Sequence, residues 1–183
     1  MASTVFPAPS TASASVPNWV LVSRSTSSAV TYNFTGLSGY KNYKLVWSAF
    51  RTTSGGEQIQ VRINGVTTGA YGASTSYITP TGAGGPNAAT SMNDTYYTLT
   101  GSDKTISSAQ DQGPGFCLIE GADSTTGGKL LTSEAAFQSS GYKYYAQGVG
   151  SANIAASITS ILFGAITGSG TLNPAFVELW GAN

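Results

Sequence analysis

Residues 43–64, YKLVWSAFRTTSGGEQIQVRIN, carry the clearest structural pattern in the chain. Apolar and polar side chains alternate without a break at 58–64, and successive side chains of a strand point to opposite faces of a sheet. The first half, 43–51, is apolar on one face and mixed on the other. Two glycines within 52–56 are typical of a turn. The stretch therefore predicts a β-hairpin with one buried face.

Similar short patterns recur along most of the chain, with no amphipathic helix of useful length. Residues 73–94 are rich in Gly, Thr, Asn and Pro and are predicted to form a long loop. Many short antiparallel strands without helices between them predict an all-β fold, either a two-sheet β-sandwich or a closed barrel. The predicted strands are 19–25, 29–34, 43–51, 57–64, 96–100, 115–121, 128–137, 142–149, 156–165 and 171–181.

The apolar positions of the strongest strand patterns predict the core. Residues 43–51 and 175–180 carry apolar side chains on both faces, which is more than one sandwich core can use. This excess indicates contacts between subunits. The side chains predicted to be largely buried are Leu45, Trp47, Ile59, Val61, Ile63, Leu118, Ile161 and Leu179.

Residues 1–17, MASTVFPAPSTASASVP, differ from the rest in being small, polar and interrupted by three prolines. Such a composition cannot bury enough surface to fold by itself. We therefore predict an extended N-terminal arm, 1–17, followed by a β-sandwich domain, 18–183. Val5 and Phe6 are its only adjacent pair of sizeable apolar residues, and we predict that they bind a partner. A terminus without a role is the alternative.

Charge limits the classes of partner. Only 9% of the residues are charged, and eight basic residues balance eight acidic ones. The chain has no basic stripe of the kind that neutralises phosphates or anionic lipids, so we expect neither nucleic acid nor a membrane as a partner. No export signal and no apolar segment of bilayer-spanning length is visible in the sequence.

The chemistry-bearing residues are few. The chain has no histidine, which excludes Ser-His-Asp and Cys-His sites and histidine metal sites. Its single cysteine, Cys117, lies in the strand-like FCLIE and is predicted to be a small buried side chain. We expect no enzyme, no catalytic residue, no cofactor and no metal site. A pair of carboxylates that converges in space, as in glycosidases, remains the alternative.

Tyrosines provide the positive indication of recognition. Ten tyrosines lie among Ser, Gly, Asn and Thr, a mixture that antibody paratopes also use. Tyr142 and Tyr144 share one face of a predicted strand, with Lys143 and Tyr145 on the other, and we predict that this pair binds a partner. The alternative is that the tyrosines pack the sheet with their hydroxyls at the rim.

Two segments resemble small jelly-roll proteins of tailed bacteriophage virions. One is FTGLSGYKNYKLVWSAFRTTSGGEQIQVRING, 34–65, in which a Gly-Tyr turn leads into a strand and the last strand ends in Arg-hydrophobic-Asn-Gly. The other is the closing AFVELWGAN, 175–183. The resemblance covers 19–181 in outline. It implies a trimeric, jelly-roll-like β-sandwich on the outside of virions, and it transfers no catalytic residue.

The resemblance leads to the functional hypotheses. We expect a non-enzymatic, homotrimeric capsid decoration protein on the virion surface, assembled in the host cytoplasm. Its partners would be its own copies and the major capsid protein or another virion protein. The alternative is a tail-fibre or receptor-binding tip that contacts host-surface glycan. A tail location requires another protein to supply the shaft, because no heptad or repeat precedes the sandwich. A carbohydrate-binding module and a glycosidase are the further alternatives.

Overall fold

The computed structural model describes residues 18–53, 57–78, 87–100, 106, 112–139, 141–166 and 168–183; for 77 and 87–92 it describes the backbone only. These residues form β-strands and no helix, so no membrane-spanning helix occurs in them. The strands are β1 Val20–Ser25, β2 Thr31–Thr35, β3 Asn42–Trp47, β4 Phe50–Thr52, β5 Gln60–Ile63, β6 Tyr71–Ile78, β7 Asn87–Asp94, β8 Tyr97–Thr98, β9 Gly115–Glu120, β10 Lys129–Ser139, β11 Tyr142–Ala152, β12 Ser160–Gly164, β13 Leu172–Pro174 and β14 Val177–Ala182.

The strands form antiparallel sheets. The large sheet has the order β1-β14-β3-β9-β10-β11-β6-β7, the small sheet has the order β2-β12-β5-β8, and β13 pairs with β4. The small sheet packs on the large one: the ring of Trp47 stacks on that of Phe163 with centroids 5.0 Å apart. On the same interface, the Tyr97 hydroxyl is 3.0 Å from Ser133 Oγ. The all-β antiparallel sandwich predicted from the sequence is therefore confirmed.

The core lies between the facing sides of the two sheets. Seven of the eight predicted core residues are at most 2% exposed, and burial of each such side chain stabilises the fold by roughly 1.5–3 kcal/mol. The prediction for Leu118 was wrong. Alternation in β9 turns Cys117 and Ile119 inward, where both are fully buried, and leaves Leu118 half-buried on the outer face.

The hairpin predicted at 43–64 was also wrong. β3 pairs with β14 and β9 in the large sheet, whereas β5 pairs with β12 and β8 in the small sheet. The chain leaves the large sheet after Trp47, where Ser48 Oγ accepts hydrogen bonds from the backbone N–H groups of Ala175 and Phe176 at 2.7 and 3.1 Å. Alternation predicted the apolar buried face of both strands correctly, but it missed the burial of Gln60 on the other face of β5, and it carries no information about the partner of each strand.

The loop predicted at 73–94 is largely a hairpin. β6 and β7 pair antiparallel from Tyr71 opposite Asp94 to Tyr77 opposite Asn87, and they extend the edge of the large sheet. The sequence of β6 does alternate, with Tyr71, Ala73 and Thr75 buried, but its small residues give a weak apolar signal. Pairing with β11 supplies the stability that intrinsic strand propensity lacks.

Candidate contact surface

Among the described residues, the potential metal ligands are not clustered and the cysteine thiol is buried. Among these residues no three His, Cys, Asp or Glu side chains come together as a metal site. Cys117 is fully buried, and burial raises the pKa of its thiol above the ordinary value. A buried thiol with a raised pKa is a poor nucleophile. The surface features of the sandwich are therefore the better candidates for function.

The outer face of the large sheet carries several exposed apolar side chains among polar ones. Ile78, Leu130, Tyr145 and Val149 are 40–59% exposed, and we call these four residues the outer strip. All four lie on this face. Ile78 pairs with Tyr145, Val149 follows Tyr145 by four residues in β11, and Leu130 pairs with the residue six positions after Tyr145. Residues an even number of positions apart in a strand share a face. The four residues form two neighbouring pairs, Ile78 with Tyr145 and Leu130 with Val149, and apolar side chains grouped in this way make the face a candidate interaction surface.

An open groove of about 430 Å³ runs across the same face beside the outer strip, and we call it the outer groove. Small residues such as Gly115 and Ala136 line it together with the larger Phe116, Tyr145 and Phe176. A second depression of about 330 Å³ adjoins it, lined by Trp19, Lys44, Val46, Glu178 and Trp180. Lys44 and Val46 line both, so the two depressions share a wall, and we call the adjoining pair the concave region.

Three charged side chains beside the outer groove, those of Arg24, Lys44 and Glu178, have partners on this face. The Lys44 ammonium lies 4.8 Å from the centroid of the Phe116 ring, and the Arg24 guanidinium lies 5.3 Å from that of Phe176. Glu178 accepts a hydrogen bond from the Trp180 indole N–H at 3.0 Å and is 3.5 Å from Arg24 Nε. These contacts hold the long side chains close to the rings. The face is therefore neutral and aromatic in character.

A small polar cluster borders the outer groove. Gln147 Nε2 donates a hydrogen bond to Glu134 Oε1 at 3.3 Å. The hydroxyl of Tyr145 also donates to Glu134, and this hydrogen bond raises the pKa of Tyr145. The cluster combines a carboxylate, an amide and an exposed aromatic ring at the edge of the concave region.

Tyr142 and Tyr144, the tyrosines predicted to bind a partner, differ in their surroundings in the structure. The alternation predicted at Tyr142 and Tyr144 is present in β11, but both lie on the opposite face from Tyr145. Tyr144 is half-buried and stacks on Phe137 with centroids 5.1 Å apart, whereas Tyr142 is 51% exposed. Val5 and Phe6 lie outside the described residues, so their predicted binding role stays a prediction.

Sequence reasoning did not single out the residues of the outer groove. Phe116, Glu134 and Tyr145 come from three strands that are distant in sequence and adjacent in the sheet. The available signal was the presence of apolar residues on both faces of a strand, as at Val46 in β3 and Leu118 in β9. The same pattern at 43–51 and 175–180 predicts outward apolar contacts, and it applies equally to β9.

No protein-family model matches this chain, and neither curated proteins nor solved structures give a significant match.

Proposed function

We propose that the chain is a non-enzymatic structural protein of the outer surface of tailed-bacteriophage virions, acting as a homotrimeric capsid decoration protein. The observation that carries this proposal is the group of exposed apolar side chains beside the outer groove on the large sheet. A face with an aromatic groove and a strip of exposed apolar side chains suits contact with another protein surface. The side chains of Arg24, Lys44 and Glu178 already contact partners on this face, which lowers the desolvation cost of such a contact.

The two segments that resemble virion proteins also support the proposal. They are remote in sequence, yet β3 from the first segment and β14 from the second are hydrogen-bonded neighbours, with Leu45 opposite Leu179. Both side chains have no exposed surface. Part of each segment thus lies in two paired strands of the large sheet, and outward residues of these strands, such as Val46 and Glu178, belong to the proposed contact surface.

Light scattering tests the homotrimer. We expect a mass of three times the 18.7 kDa chain at micromolar concentration, with interfaces that each bury at least ~1,000 Å². The double variant Leu130→Lys, Val149→Lys places two charges on the outer strip and should lower the mass while leaving the circular dichroism spectrum unchanged. Thr67→Lys, at an exposed position in the turn after β5, is the matched control. A wild-type monomer would overturn the trimer.

Electron microscopy of intact particles tests the location. Many copies on the capsid facets are the expected result. A few copies at the tail would exclude the decoration role and favour the alternative below.

The alternative is a tail-fibre or receptor-binding tip that contacts host-surface glycan. The observation that favours it is the polar cluster of Glu134, Tyr145 and Gln147 beside the aromatic groove, because sugar recognition uses hydrogen-bonding groups next to a ring. A glycan array with the isolated protein tests this alternative. Binding that is lost in Glu134→Ala and kept in Thr67→Lys would support the glycan-binding tip over the decoration protein.

A further inference from the structure

The chain enters the described part of the structure on the outer face of the large sheet. Trp19, two residues after the arm, lines the depression that adjoins the outer groove. Lys44 and Val46 line both concavities. The arm 1–17 is therefore connected to the protein at one end of the concave region that contains the outer groove.

The outer groove is suited to an apolar occupant. The ammonium of Lys44 already lies over the Phe116 ring, and the carboxylate of Glu134 is engaged by Gln147 and Tyr145. The remaining lining is mostly aliphatic and aromatic. Aromatic-lined grooves bind proline-rich segments, because such segments are extended in advance and lose little entropy on binding.

The arm has a segment of matching chemistry and sufficient length. Residues 5–9, VFPAP, combine its only adjacent pair of sizeable apolar side chains with two prolines. Phe6 precedes Trp19 by 13 residues, which can span up to about 43 Å when extended. From β14 to β11 the sheet measures four strand spacings, or roughly 19 Å. The segment can therefore reach every part of the groove without being stretched.

We propose that the arm segment 5–9 binds in the outer groove of its own chain, with Val5 and Phe6 in contact with Phe116 and Phe176. Binding within one chain is favoured because a short tether gives an effective concentration in the millimolar range. The inference goes beyond the proposed function and does not depend on the virion role. It makes the arm a part of the outer face, where it adjoins the outer strip.

Paramagnetic relaxation in NMR spectra tests the proposal on the full chain. A nitroxide label on Ser3→Cys reports the position of the segment, and Cys117 does not compete for the label because it is fully buried. We expect loss of the amide peaks of Phe116 and Ala136. Phe6→Asp should restore these peaks, whereas Val16→Asp, with the same charge in the same arm, should not.

A groove variant and a mixed sample complete the test. Ala136→Phe fills the groove and should also restore the peaks; if this variant does not fold, Phe6→Asp alone decides, since its site lies in the arm. The mixed sample contains isotope-labelled protein without the nitroxide, refolded with unlabelled protein that carries it. Peak loss in the mixed sample would assign the groove to the arm of another copy and overturn the proposal. Peaks unaffected by the label, or peak loss unchanged in Phe6→Asp, would also overturn it.

Discussion

The hydroxyl of Tyr71 makes two hydrogen bonds with the backbone of Ile63. It accepts from the Ile63 N–H at 2.7 Å and donates to the Ile63 carbonyl at 3.2 Å. Tyr71 belongs to β6 of the large sheet and Ile63 to β5 of the small sheet, and both residues are buried. The phenol of Tyr71 thus makes the two backbone hydrogen bonds that a neighbouring strand would otherwise make with Ile63, and it connects the two sheets of the sandwich.

Tyr71→Phe should lower the free energy of unfolding by about 1–3 kcal/mol, because it leaves the buried N–H of Ile63 without this partner. Tyr43→Phe is the matched control. Its hydroxyl is equally buried but has no hydrogen-bond partner among the described residues, so its removal should cost nothing or stabilise the protein. Urea denaturation of the two variants measures the difference. Equal losses would show that the hydrogen bonds of Tyr71 contribute little.

Val61→Asp should destabilise the sandwich by several kcal/mol, since Val61 has no exposed surface and the carboxylate would be buried without a partner. Leu118→Asp introduces the same group on the half-buried outer face, where it stays in contact with water. We expect a much smaller loss for Leu118→Asp in thermal denaturation. A comparable loss would contradict the assignment of the inner and outer faces.

Asn64→Gly should cost about 1–3 kcal/mol through lost hydrogen bonds. Asn64 has a left-handed φ of 52°, and its Oδ1 accepts from the N–H groups of Thr159 and Ser160 at 2.8 and 3.1 Å. Its Nδ2 donates to the carbonyl of Ser157 at 2.9 Å. Glycine tolerates this φ, so the loss reports the side chain rather than the backbone.

The control for this variant is Asn93→Gly. Asn93 has a similar φ of 61° and an exposed side chain. Its replacement should leave stability nearly unchanged in the same denaturation experiment. An equal loss at both positions would indicate that backbone flexibility, and not the contacts of Asn64, determines the effect.

Stability should fall as the pH rises above about 9. Burial raises the pKa of Cys117 above its ordinary value of 9.0 and that of Tyr97 above 10.0. The folded protein therefore keeps these protons at pH values where the unfolded chain has lost them. For each such group, the free energy of unfolding falls by about 1.4 kcal/mol per unit of pH rise between its unfolded and folded pKa. Urea denaturation between pH 7 and 11 measures the slope.

Cys117→Ala removes one of these protons and serves as the comparison. Its smaller side chain changes the overall stability, but the slope between pH 9 and 10 should be shallower than in the wild-type protein. An unchanged slope would mean that the Cys117 thiol does not contribute to the alkaline loss.

The predictions from the sequence succeeded where a single strand contains the information. The buried faces of Leu45 and Val61 followed from alternation in their own segments, and the burial of Cys117 followed from its apolar neighbours. The errors arose where the outcome depends on a distant segment. β6 is a strand because β11 and β7 pair with it, and Leu118 faces outward because the register of β9 with β3 and β10 places Cys117 in the core.

By itself the sequence determined an all-β antiparallel fold, the inward apolar positions of its strongest strands and a composition with few charges and no net charge. These properties depend on side-chain periodicity and composition, which are local. Only the tertiary structure decided which strands are neighbours, and thereby brought Phe116, Glu134, Tyr145 and Phe176 together on one outer face. The physical reason is that strand pairing is a non-local interaction. Many pairings satisfy the same alternation, and the packing of the whole core selects one of them.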